Sequence, residues 1–223
     1  MKLLTFIFIF FYSYTGNIFA ELFNASEFRL KNGLKVIVVE NDRAPIVSQM
    51  IWYNVGSVDE EYGKSGLAHF LEHLMFKGTT QFPNGYFSKY ISKNGGSENA
   101  FTSFDYTAYY QIIPSDKVEK IIELESDRMR NLTLTKLQVE TEKKVILEER
   151  YQRIDSSPSA ILDESMRKSL FPNHAYGTPI IGWEHEIESL DYQDVKQFYK
   201  KYYIPSNATL IFSGDISLEK AKR

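Results

Sequence analysis

Two histidines and a glutamate stand in one short apolar run, Gly66-Leu67-Ala68-His69-Phe70-Leu71-Glu72-His73-Leu74-Met75-Phe76. His69 and His73 are four residues apart and Glu72 is three from His69, so on a helix the three share one stripe. The other residues are apolar on nearly every face, which marks a buried helix. Two imidazoles one turn apart can reach a single cation at the ~2.0–2.1 Å that zinc requires. Glu72, angularly between them, can reach a water on that cation and act as its general base, the metal lowering the water's pKa towards ~7. Without a cation, three polar groups on an otherwise apolar stripe would be costly to bury. The His-x-x-Glu-His pattern also takes up two of the chain's four histidines.

Catalytic zinc sites usually take three protein ligands plus water, so one more is expected. In a stretch that reads as a helix over 136–153, Glu142 and Glu149 are seven residues apart and project from the same face. Val145 and Ile146 lie between them, which predicts that this face points inward. Carboxylates are rarely buried without a cation or strong hydrogen bonds. One of the two as third ligand and the other as its support would satisfy both, and spacing alone does not choose between them. Glu123, Glu140 and Glu148 read as members of solvated faces.

The elements that would carry these residues can be read from patterning. Residues 27–30 and 34–40 form a hairpin across Asn32-Gly33, with the Asn-Gly pair supplying positive φ. A third strand covers 47–55. Ser65 caps the histidine helix, and Gly78 ends it. A second helix covers 86–93, and strands at 100–102 and 107–113 pair around Ser103–Asp105. Helices follow at 115–130, 136–153 and 158–170, the second opened by a Thr135/Gln138 capping box. His174 and His185 fall among Pro172, Gly177, Pro179 and Gly182 and read as loop residues. A helix over 191–203 and a strand over 208–212 follow, and Ser217 starts a last element. Strands early and late around a helical block predict an α+β fold, a mostly antiparallel sheet packed by helices.

The chain has 223 residues, no Cys, and 26 Lys+Arg against 29 Asp+Glu. The absence of Cys excludes disulfides, thiolate zinc sites and a cysteine nucleophile. A formal charge of −3 gives no basic excess of the kind nucleic-acid binding shows. Residues 1–20, MKLLTFIFIFFYSYTGNIFA, have the layout of a secretory signal peptide. The expectation is an exported chain, periplasmic or secreted, with no stable membrane span once that signal is removed.

Further stretches accompany the histidine motif: Leu74-Met75-Phe76-Lys77-Gly78-Thr79, Gly96-Ser97-Glu98-Asn99-Ala100-Phe101-Thr102, Glu142-Lys143-Lys144-Val145-Ile146-Leu147-Glu148-Glu149, and Tyr203-Ile204-Pro205-Ser206-Asn207-Ala208 with Gly214-Asp215. Together they resemble the pitrilysin family of inverzincin zinc metallopeptidases, which includes insulin-degrading enzymes and mitochondrial processing peptidase. The resemblance implies His69, His73 and Glu149 as ligands of one zinc ion, Glu72 as catalytic base, and Glu142 as a carboxylate orienting a ligand. It also implies an edge strand at Asn99 and Ala100 that a peptide substrate joins by β-augmentation. On that pattern 21–185 is the zinc-binding peptidase domain, and 186–223 is the end of the first domain and the start of a following segment. A homologous second domain, or a partner subunit, is expected to close the chamber and to supply an Arg/Tyr pair. The alternative expectation is a non-catalytic or half-enzyme partner that needs a second chain.

Overall fold

Strands from the early, middle and late parts of the chain build the sheet on which the helices rest. The computed structural model describes residues 24–223; the signal peptide expected at 1–20 lies outside them. In chain order the elements are β1 (Ala25–Arg29), β2 (Lys35–Glu40), β3 (Ile46–Tyr53), α1 (Leu67–Leu74), α2 (Tyr86–Lys93), β4 (Ser97–Thr102), β5 (Thr107–Pro114), α3 (Val118–Asn131), α4 (Lys136–Arg150), α5 (Pro158–Leu170), α6 (Glu184–Ser189), α7 (Tyr192–Tyr202), β6 (Ala208–Gly214) and α8 (Leu218–Lys222). The six strands form one sheet in the order β1-β2-β6-β3-β5-β4, antiparallel except between β2 and β6. The α+β class and the mostly antiparallel sheet are as expected.

Strand β6 lies between β2 and β3, pairing Ile37 with Ile211 on one side and Met50 with Ile211 on the other. Residues beyond 189 are therefore structural members of the same sheet and helix layer. In β3 the residues Val47, Gln49, Ile51 and Tyr53 are buried, a period of two that turns one face to the helices. On that face sits α1, whose Leu67, Ala68, Phe70, Leu71 and Leu74 are buried, with α7 contributing Val195 and Phe198 to the same core. At the far edge, β4 pairs only with β5, Asn99 facing Tyr110 and Ala100 facing Tyr109.

Several local expectations are corrected. Ser65 does not cap α1: the cap position is Gly66, at φ +87°, and the Ser65 hydroxyl instead accepts from the Trp183 backbone N–H at 2.9 Å. The helix start is satisfied by Glu60, whose two carboxylate oxygens accept from Gly66 N at 3.0 Å and Ala68 N at 2.8 Å. In the first hairpin only Gly33 has positive φ; Asn32 contributes its side-chain oxygen, which accepts from Leu34 N. The helix expected over 136–153 keeps α geometry to Arg150 and then widens into a π turn, Tyr151–Asp155. Val145 points outward, about half exposed, while Ile146 is fully buried. His185 belongs to the short helix α6 and not to a loop.

Candidate metal centre

Helix α1 lies against the C-terminal part of α4, and the polar residues of the two helices meet there. Glu149 Oε2 lies 3.3 Å from His73 Nε2 and 3.7 Å from His69 Nε2. The ligand atoms of His69, His73 and Glu149 all fall within 4.8 Å of one another. Tetrahedral ligands at ~2.0–2.1 Å from a common ion stand about 3.4 Å apart. The observed contacts bracket that separation, and the donor set is two imidazoles and a carboxylate, so the group fits a divalent cation. The other oxygen of Glu149 is held by Arg153, at 3.0 Å.

Glu142 is engaged differently. Its Oε1 is 3.0 Å from His73 Nδ1, the ring nitrogen turned away from Glu149, and its Oε2 is 2.5 Å from Lys77 Nζ. The hydrogen bond with His73 holds the Glu142 carboxyl below its ordinary range; burial opposes this, and Lys77 adds to it. A carboxylate on Nδ1 fixes the imidazole so that Nε2 presents its lone pair. Burial pulls the His73 pKa down, but the bond from Glu142 and the charges of Glu149, Glu142 and Glu72 outweigh it, and the net shift is upward. His69 goes the other way, to about 3, through burial and then through His73 and Arg153. Its imidazole is neutral at physiological pH, the form that binds metals.

Glu72, on α1 between the two histidines, lines the same cleft and accepts from the Thr102 hydroxyl at 2.5 Å. Burial raises its pKa, and the Thr102 hydrogen bond acts against that. Asn99 and Ala100 border the same cleft, whose volume is about 650 Å³ and which α5 walls from the other side. On β4 the Ala100 N–H donates to the Asn99 side-chain oxygen at 2.9 Å. Every residue singled out in the sequence thus comes to this cleft or, for Glu142, directly behind it. Three contributors were not assigned in advance. Lys77 and Arg153 each stand four residues after an assigned group, His73 and Glu149, a helical spacing that could have revealed both. Thr102 is two residues beyond Ala100 and so on the same face of β4.

Fold and site together define an α+β protein with a His-His-Glu group that could hold a metal ion. Comparison with known proteins narrows this to a family. The pattern of Insulinase (Peptidase family M16) matches residues 35–184, and that of the Peptidase M16 inactive domain matches residues 189–223. The chain belongs to peptidase family M16. It is 36% identical over 192 residues to the zinc protease PqqE of Helicobacter pylori, covering 86% of this chain and 43% of that protein. Among solved structures it is similar to a protease from Helicobacter pylori, with a TM-score of 0.83 at 35% identity over 90% of this chain and 48% of the other. It is also similar to the first half of the periplasmic protease PqqL from Escherichia coli, with a TM-score of 0.81 at 27% identity over 89% of this chain and 44% of the other. The chain thus spans a little under half the length of the relatives it matches.

Proposed function

We propose that this chain is the metal-bearing half of a zinc-dependent endopeptidase that hydrolyses peptide bonds in extended peptides or unfolded segments. The observation that carries the reading is the convergence of His69, His73 and Glu149 on one point, with Glu72 lining the same cleft. His69, His73 and Glu149 hold the ion, and Glu142 orients His73 through Nδ1. When bound, zinc supplies a Lewis acid that polarises the scissile carbonyl and acidifies water.

The remaining work falls to the protein. Glu72 takes the proton of the attacking water and passes it to the leaving amine. Burial, which raises its pKa, favours a carboxyl that can hold the proton between taking it and giving it up. Thr102 donates to one oxygen of Glu72 and leaves the other to face the reactants. Asn99 and Ala100 hold the substrate backbone as an added strand on the free edge of β4, which tolerates varied side chains. A homologous second domain or partner subunit completes the chamber. The signal-like first twenty residues and the likeness to a periplasmic protease support export to the periplasm or beyond. Among the described residues no helix is long and apolar enough to cross a membrane.

The test is Glu72→Gln. It should keep zinc and lose turnover of a quenched-peptide library by a factor of roughly 10² or more, assayed with and without the homologous second half. Turnover equal to the unmodified chain's would refute Glu72 as the base. Zinc binding without turnover until the second half is added would make the chain a half-enzyme.

A further inference from the structure

Arg150 is the last residue of α4 and directly follows Glu149, yet its guanidinium is buried, with 6% of the residue exposed. A buried cation is costly unless closely paired, and here the partners come from three separate segments. Nη1 and Nη2 each lie 3.0 Å from an oxygen of Glu164 on α5, a bidentate pair. Nη1 also donates to the Gly182 carbonyl at 2.8 Å, and Nη2 is 3.2 Å from Asp155 in the π turn.

Gly182 is in turn pressed against the start of α1. A Cβ at Gly182 would stand 2.5 Å from the Ser65 carbonyl oxygen, and one at Gly66 would stand 2.5 Å from the Ile181 carbonyl oxygen. Both glycines have positive φ, so backbone meets backbone where no side chain would fit. Trp183 N donates to Ser65 Oγ across the same contact. A continuous set of contacts therefore runs from Arg150 through residues 181–183 to Gly66, one turn before His69. At the other end of α1, His73 and Lys77 hold Glu142 of the same α4. The two helices are fastened at two places, with His69, His73 and Glu149 between them. Immediately after Arg150 the chain leaves α geometry for the π turn, so Glu149 stands one residue from the end of the regular helix.

We infer that Arg150 is a positioning residue: by clasping Glu164 and Gly182 it fixes the end of α4 against the start of α1 and so sets Glu149 at bonding distance from the two histidines. This inference rests on the reading of His69, His73 and Glu149 as metal ligands. Arg150 itself touches neither the ion nor the reacting atoms. The clasp needs a planar fork that serves two carboxylate oxygens and a carbonyl at once, which a lysine ammonium cannot reproduce.

The test uses cobalt(II) alone as the probe on the full chain, with Arg150→Met, Arg150→Lys and Glu164→Gln beside the unmodified protein. Three quantities are read: cobalt affinity by competition with a chromogenic chelator, the visible spectrum of bound cobalt, and thermal unfolding without metal. Arg150→Met should bind cobalt roughly 10–100-fold more weakly with an altered spectrum, and Arg150→Lys should not restore either. Glu164→Gln, which keeps the shape of the partner, should move both readouts in the same direction by less, and it stands in if Arg150→Met does not fold. A folded variant that melts lower but keeps the unmodified affinity and spectrum would make Arg150 a fold residue only and overturn the inference. Failure of the unmodified chain to bind cobalt would instead remove the metal-site reading itself, and the inference with it.

Discussion

Glu142 shows how one carboxylate can serve a site without joining it. It accepts from His73 Nδ1 on one oxygen and from Lys77 on the other, while Glu149, seven residues on, faces both Nε2 atoms. Replacing Glu142 with Gln removes the charge that fixes the His73 ring and leaves Lys77 facing a neutral amide. Competition with a zinc chelator should show affinity weakened by roughly 10–100-fold, whereas Glu149→Gln should lose far more. Equal losses in the two variants would mean that the carboxylates share one role. The histidine–glutamate stripe was legible in the sequence because helical spacing alone converges those side chains. Glu142 and Glu149 were legible as a pair but not separable, since residues seven apart point the same way. What separates them is where α1 lies along α4, a property of packing.

At the start of α1 the helix that carries both histidines is capped by an acid six residues upstream, Glu60. Burial chiefly raises the Glu60 pKa to about 8; the bonds from Ala68 and Gly66 lower it, and Glu186 and Asp59 raise it further. The folded state therefore holds the Glu60 proton more tightly than the unfolded chain, where the group titrates near its ordinary 4.5. Its contribution to stability is full below about 4.5 and is lost as pH rises through about 8. Urea unfolding of the metal-free chain between pH 5 and 9 should show stability falling with pH, and Glu60→Gln should flatten that fall. An unchanged slope in the variant would show that Glu60 is not the group responsible. Ser65 was the expected cap because it stands before the apolar run, but Trp183 takes its hydroxyl and the capping oxygens come from Glu60. Like the Trp183–Ser65 contact, β6 shows a long-range limit: its strand character is plain in Ala208-Thr209-Leu210-Ile211-Phe212, but its place between β2 and β3 depends on contacts more than 150 residues apart. Local pattern gives element type; long-range pairing gives position.

Taken whole, the molecule brings His69, Glu72, His73, Asn99, Ala100 and Glu149 to one cleft between α1, α4, α5 and the edge strand β4, on a fold shared with the first half of a longer protease. Class and sheet type followed from the order of strands and helices. The expectation of a companion half came only from the resemblance, because residue spacing carries no record of a second domain. The three candidate ligands all belong to this chain, and this makes the ion the most direct test. The measurement is zinc per chain by elemental analysis after zinc loading and gel filtration, on the unmodified chain and on Glu149→Gln. One zinc per unmodified chain, with the ion lost from Glu149→Gln, is the predicted result. No bound zinc in the unmodified chain, or a full complement retained by Glu149→Gln, would contradict the assignment of His69, His73 and Glu149 as the metal centre.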